Sequence, residues 1–212
     1  MCYVTDRKGF QSGDPTVSVL ETIRAAVAAG VDWVQIREKD LGGRELLALV
    51  RTAIGIASEN AHPGVVVNDR LDVALAAGAA GVHLGGESLP ARDVIRWCRG
   101  GNAPAEFLVG VSCHSLGEVR EAESAGASYV FFGPVFGTPS KEQFGAPQGI
   151  AELAAVCGAA RIPAIAIGGV NDENGPECVR AGAAGIAAIR LFQESRDPMA
   201  LREAIARLHT RI

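Results

Sequence analysis

One four-fold echo constrains this chain more than anything else in it. The stretches Ala29-Gly30-Val31-Asp32-Trp33-Val34, Ala77-Gly78-Ala79-Ala80-Gly81-Val82, Ala125-Gly126-Ala127-Ser128-Tyr129-Val130 and Ala181-Gly182-Ala183-Ala184-Gly185-Ile186 resemble one another. The glycines at 30, 78 and 126 are 48 residues apart, and the last interval, to 182, is 56. Each copy reads as an Ala-rich helix ending on a left-handed Gly cap, followed by an apolar strand. A period of that length is too long for one strand–helix unit and fits two. Further aliphatic runs lie between the repeats at Val65–Asn68, Leu108–Ser112 and Ala164–Ile167, and Cys2–Thr5 supplies one more at the start. That makes eight strands alternating with helices over about 17–29, 43–59, 70–77, 90–99, 116–125, 149–157, 173–181 and 198–209. The strands are continuous apolar runs, as expected when both faces are covered. The economical fold is therefore α/β, a (β/α)8 TIM barrel forming a single domain over residues 1–212. An open doubly wound sheet is the alternative, and even spacing argues against it.

Composition narrows the function classes. Apolar residues make up 48% of the 212, enough for a core, and the net charge of −4 argues against a duplex nucleic-acid binder. No apolar run is long enough to span a membrane. Met1 runs into Cys2-Tyr3-Val4-Thr5 with no basic-then-apolar leader, so a cytoplasmic protein is expected. Five cysteines, odd in number and without a Cys-x-x-Cys pair, argue against a disulfide framework or structural zinc. Nothing in the sequence decides between a monomer and a homo-oligomer.

In such a barrel the residues just past each strand line the mouth. Taken in order they are Gln35, Arg37 and Lys39; Asn68-Asp69-Arg70; His83 to Ser88; Ser112-Cys113-His114; Thr138, Ser140 and Lys141; Gly168-Gly169; and Ile189-Arg190. Alternation on the second strand sends Gln35, Arg37 and Lys39 to one side, where two cations and an amide suit a phosphate or pyrophosphate. Asp69 beside them makes sense if Mg²⁺ bridges it to a phosphate. Gly168-Gly169 offers backbone N–H groups to a second phosphate. The long Gly/Pro-rich loop over 133–149 follows strand 6 and reads as a lid or binding loop. Plainer readings stand beside these. Arg37-Glu38-Lys39-Asp40 also reads as a solvated loop, Asn68-Asp69-Arg70 as a helix cap, and His83 as a packed, hydrogen-bonded histidine. Ser112 and His114 do not make a nucleophile pair.

Val34-Gln-Ile-Arg-Glu-Lys39, Val67-Asn-Asp-Arg-Leu-Asp72, Gly81-Val-His-Leu-Gly85, Gly110-Val-Ser-Cys-His114, Gly133-Pro-Val-Phe-Gly-Thr-Pro-Ser-Lys141 and Ala166-Ile-Gly-Gly169 together resemble the thiamine phosphate synthase family. The likeness runs in order from Tyr3 to Ile189. It implies a transferase that joins hydroxymethylpyrimidine pyrophosphate to a thiazole phosphate and releases pyrophosphate, with phosphorylated small molecules as partners and Mg²⁺ as cofactor. The family pattern implies Gln35, Arg37 and Lys39 as a pyrophosphate clamp, with Asn68, Ser112 and Lys141 as further contacts. Arg37, Lys39 and Lys141 are the groups it would use in catalysis. Thr138, Ser140 and Gly169 match a thiazole-phosphate cradle, with Ile189 and Arg190 at its strand-8 side. Asp69 matches a metal ligand. Two departures stand out. Ser88 occupies the position of a second metal-binding Asp, and Arg190 that of a phosphate-binding Ser. The related thiazole tautomerases are the competing reading, since they share the superfamily. Against them stand the retained Asn68-Asp69 and Pro134 where a tautomerase carries His. A non-catalytic thiazole-phosphate binder is the third reading.

Overall fold

Eight short apolar runs form parallel strands that pair in sequence order and close into a barrel. They are β1 (Cys2–Val4), β2 (Trp33–Ile36), β3 (Gly64–Asn68), β4 (Gly81–Leu84), β5 (Leu108–Cys113), β6 (Tyr129–Phe132), β7 (Ala164–Ile167) and β8 (Gly185–Ala188). β8 pairs with β1 through Cys2 and Tyr3, which removes both sheet edges. The computed structural model describes residues 1–59, 64–137, 146–195 and 197–209.

Helices follow the strands as α1 (Pro15–Ala29), α2 (Gly43–Ser58), α3 (Leu71–Ala77), α4 (Ala91–Trp97), α5 (Leu116–Ala125), α6 (Gly149–Ala159) and α7 (Gly175–Arg180). The chain then forms α8 (Arg190–Gln193) and α9 (Pro198–His209). The helices expected from sequence are all there, with ends shifted by two residues or fewer. α8 is an addition. Four residues carry no amphipathic period, so nothing in the sequence announces it. It matters for the seam, because Phe192 packs on the Tyr3 ring at 4.9 Å and Gln193 Nε2 donates to the Asp6 carbonyl at 2.7 Å. Three of the four repeated glycines cap helices, whereas Ala181 caps α7 and the fourth, Gly182, follows it at φ of 98°. Gly30, Gly78 and Gly126 end α1, α3 and α5 at φ of 95°, 70° and 93°, which β-carbon-bearing residues resist.

The strands sort their side chains by alternation. Tyr3, Val34, Ile36, Val67, Val130 and Phe132 face outward into the layer under the helices. Cys2, Val4, Tyr129, Phe131 and Ala187 face inward and form a separate core, with Trp33, Ile165 and Ile167 packed against it. Large inward rings need gaps on neighbouring strands. A Cβ at Gly64 would lie 2.2 Å from the Trp33 ring, so glycine there admits the indole. The barrel floor is thus filled with rings and aliphatic groups, and polar inward residues are left for the top. Among the described residues no helix is long and apolar enough to cross a membrane.

Candidate active site

Four polar side chains alternate inward near the upper ends of adjacent strands. They are Gln35 on β2, Asn68 on β3, His83 on β4 and Ser112 on β5, with Asn68 register-paired to His83. Gln35 is 2% exposed, and its Nε2 has no hydrogen-bond partner among the described residues. A buried donor left unmet is costly, so this amide is set to meet an acceptor that the described residues do not provide. Arg37, two residues on, is half-buried, and Lys39 is exposed. The expected alternation therefore continues past the end of β2 as a graded ladder from the barrel interior to solvent.

The residue between the two cations has a different task. Glu38 is 5% exposed, whereas a solvated mixed-charge loop would leave it in water. It accepts from Thr5 Oγ1 at 2.5 Å and from the Arg7 N–H at 3.0 Å. Thr5 Oγ1 in turn accepts from the Arg37 N–H at 3.0 Å. Burial raises the Glu38 pKa above its ordinary value, and the hydrogen bonds from Thr5 and Arg7 oppose that rise. The chain Arg37–Thr5–Glu38–Arg7 ties the loop after β2 to the loop after β1. It fixes the backbone from which the Arg37 guanidinium projects.

Asp69 follows β3 with φ of 67°, in the left-handed region. The expected helix cap over Asn68-Asp69-Arg70 holds in place but not in kind, since neither Asn nor Asp takes the cap position. The cap position falls on Arg70, and no side chain bonds there. Asp69 N–H donates to the His83 carbonyl at 2.8 Å, and the left-handed turn leaves its side chain exposed. Asp is among the few residues that tolerate this conformation, which most other side chains resist. After β4, Ser88 Oγ accepts from the Gly85 N–H at 2.8 Å and Ser88 N–H returns to the Gly85 carbonyl at 3.1 Å. Ser88 therefore closes the turn.

His83 is 2% exposed and keeps both ring nitrogens engaged. Nε2 lies 2.9 Å from Ser112 Oγ and Nδ1 3.3 Å from the Tyr129 hydroxyl. Burial first, and the Arg37 charge second, push its pKa down to about 3. A base that weak does not activate Ser112, and no carboxylate orients it, so the pair is no hydrolytic nucleophile. Cys113 is no better, because burial raises its thiol to about 12. His114 is occupied by the Gly133 carbonyl. This mouth binds and orients; it lacks an activated nucleophile among the described residues.

On the far side, β6 and β7 are zipped beyond their ends. Val135 N–H meets the Ile167 carbonyl and Phe136 N–H the Gly168 carbonyl, both at 2.9 Å. Gly168 and Gly169 have φ of 91° and 67°, and a Cβ on Gly168 would lie 2.5 Å from Pro134 Cα. Both glycines are thus required by the approach of the strand-6 loop as well as by the turn. Thr138, Ser140 and Lys141 lie outside the described residues. Ile189 is half-buried at the end of β8, and Arg190 is exposed as the first residue of α8. Tyr129, Thr5 and Glu38 have no part in the sequence-based site. Their importance comes from partners 31 to 46 residues away, which no local pattern encodes.

Comparison with known proteins adds an independent finding. A family described as thiamine monophosphate synthase matches residues 1–192. The thiamine-phosphate synthase of Moorella thermoacetica is 40% identical over 209 residues, covering 97% of this chain and 95% of its own. That of a Roseiflexus species is 36% identical over 202 residues, covering 95% and 81%. Among solved structures, thiamine phosphate pyrophosphorylase from Pyrococcus furiosus superimposes with a TM-score of 0.82 at 30% identity, covering 99% of this chain and 93% of that one.

Proposed function

The chain belongs to the thiamine monophosphate synthase family, and from that membership we propose that it is a thiamine-phosphate synthase, joining hydroxymethylpyrimidine pyrophosphate to a thiazole phosphate. The observation that carries the reading is the buried Gln35 amide, unmet among the described residues, below Arg37 on the same strand in a mouth whose described residues include no activated nucleophile. The reaction asks for that combination. The C–O bond to pyrophosphate breaks, its electron pair leaves with pyrophosphate, and the pyrimidine ring bears the positive charge. The thiazole nitrogen lone pair then forms the new C–N bond. No protein nucleophile takes part. Charge stabilisation on the leaving group and positioning of the acceptor carry the catalysis.

We assign Arg37 and Lys39 to the leaving pyrophosphate, with Lys141 as a third cation. Gln35 belongs to the same clamp, and Asn68 and Ser112 hold the pyrimidine substrate near the upper ends of β3 and β5. The thiazole phosphate falls to Thr138, Ser140 and the Gly169 backbone, with Ile189 and Arg190 at the edge of that pocket. A phosphate site beside strands 7 and 8 and a short following helix is common in this fold. Arg190 adds a cation that pairs bidentately with phosphate better than a hydroxyl would.

The donor set fits Mg²⁺ held in part by substrate. Asp69 offers an exposed carboxylate, a hard oxygen ligand. Ser88 offers a neutral oxygen that already accepts one hydrogen bond. Among the described residues no group of three His, Cys, Asp or Glu could hold a metal ion, so phosphate oxygens and water would complete the shell. When bound there, the ion supplies counter-charge to the departing pyrophosphate. Free thiols at all five cysteines accord with a cytoplasmic location, which we also propose. Incubating the purified chain with both substrates and Mg²⁺ and detecting thiamine phosphate by mass spectrometry tests the assignment. No product under those conditions refutes it.

A further inference from the structure

The roles above leave Gly110 and Tyr129 unexplained. Gly110 sits inside β5, and it is absent from the glycines with positive φ, so its backbone does not demand glycine. A Cβ there would lie 2.2 Å from Tyr129 Cζ and 2.5 Å from the Tyr129 hydroxyl oxygen. In register, Gly110 pairs with His83 on one side and Tyr129 on the other. The barrel thus gives up a side chain at 110, and the phenol crosses that gap to reach His83. Its hydroxyl lies 3.3 Å from Nδ1, while Nε2 lies 2.9 Å from Ser112 Oγ. The imidazole completes a triangle with the Phe131 and Tyr129 rings, whose centroids lie 4.3 and 5.6 Å from it and 5.5 Å from each other.

Two proton arrangements satisfy these distances. In one, Ser112 donates to Nε2 and Nδ1–H donates to the phenol oxygen. The phenol hydrogen then has no acceptor among the described residues. In the other, the phenol donates to Nδ1 and Nε2–H donates to Ser112 Oγ, so that the buried phenol and imidazole donors are both met. The hydrogen left over is then that of Ser112, which is half-buried near the top of β5 and faces the mouth. We propose that Tyr129 is a positioning residue: through His83 it sets the Nε2–H tautomer, which turns Ser112 into a hydrogen-bond donor toward an acceptor atom of the bound pyrimidine substrate. The choice of substrate rests on the transferase reading; the tautomer does not.

Long-range ¹H–¹⁵N correlation on the ¹⁵N-labelled full chain reads the tautomer directly, with His83 identified by the signal lost in His83→Gln. A protonated Nε2 and a bare Nδ1 are expected, and a protonated Nδ1 overturns the proposal. Tyr129→Phe keeps the ring and removes only the donor. It is expected to lower kcat/KM for the pyrimidine substrate about tenfold, the loss of one hydrogen bond's worth. Ser112→Ala should do the same, and the double variant should fall no further than Ser112→Ala alone. Losses that multiply in the double variant refute the route through Ser112. A wild-type chain that makes no thiamine phosphate sinks the transferase reading alone, because the tautomer is read without turnover.

Discussion

Thr5 is the buried joint on which the position of Arg37 turns, and replacing it by valine removes the hydroxyl with little change of shape. Thr5 is 0% exposed; its Oγ1 donates to Glu38 at 2.5 Å and accepts from the Arg37 N–H at 3.0 Å. Losing a hydrogen bond to a charged group costs about 1.5–3 kcal/mol, and a newly unpaired N–H about 1–3 kcal/mol. Glu38 keeps its bond from the Arg7 N–H, and Arg37 is half-buried within reach of water, so the lower part of the combined range applies. Thr5→Val should therefore destabilise by about 3 kcal/mol, or ~6–12 °C in Tm for a chain of this size. Thr5→Ser keeps the hydroxyl and loses one methyl group, for about 1 kcal/mol.

The pH dependence separates this cause from simple packing loss. The folded-state pKa of Glu38 is raised above its ordinary 4.5 by burial, and the Thr5 bond holds it down. A raised folded pKa means that the contribution to stability is fully present below 4.5 and is lost as pH rises through the folded value. Removing the Thr5 bond raises the folded pKa further. The valine penalty should thus be smallest in acid and grow as pH rises above 4.5 and Glu38 ionises. Guanidinium melts of wild type, Thr5→Val and Thr5→Ser at several pH values measure this. A valine variant as stable as the serine variant, or a penalty flat in pH, refutes the reasoning.

Three further outcomes are expected. Arg37→Ala should lower kcat/KM for thiamine phosphate formation about 10²–10³-fold, since one donor to developing anionic charge is worth ~2.7–4 kcal/mol; unchanged kinetics would remove Arg37 from the clamp. Asp69→Gly relieves the left-handed strain at φ of 67° and should hold or raise stability by about 0.5–1 kcal/mol while Mg²⁺-supported turnover collapses. A variant that keeps full Mg²⁺ response contradicts the role proposed for that carboxylate. His83, with its pKa pushed from 6.5 down to about 3, lends stability that is present above 6.5 and lost as pH falls toward 3. The stability–pH curve of His83→Gln should be flatter than wild type across that interval, and parallel curves would show that His83 does not stay neutral in the fold.

How much of the site could be seen in the sequence depends on the distance between partners. Gln35 and Arg37 were visible because a strand alternates with period two, and that alternation outlasts the ladder by a residue or more. Asp69 was visible as a type of ligand, but its left-handed turn was not, since the turn depends on the Asp69 N–H meeting the His83 carbonyl across two strands. Glu38 looked like part of a solvated run because its partners, Thr5 and Arg7, lie on the neighbouring strand's loop. Gly168 and Gly169 read as phosphate-binding turns, yet the nearness of Pro134 and Phe136 also demands them.

What the residues alone determined was the barrel. Gly caps recurring at 30, 78 and 126 and uninterrupted aliphatic strands are local signals, and their even spacing favours eight strands closed in a barrel over an open doubly wound sheet. What only the tertiary structure decided was which polar groups meet. The register brings His83, Gly110 and Tyr129 side by side from three strands, and the missing Cβ at 110 lets the phenol through. Hydrogen bonds act over about 3 Å, whereas sequence patterns reach only as far as one helix or strand. The barrel's shape is therefore written locally, and the proton arrangement inside it is set by its closure.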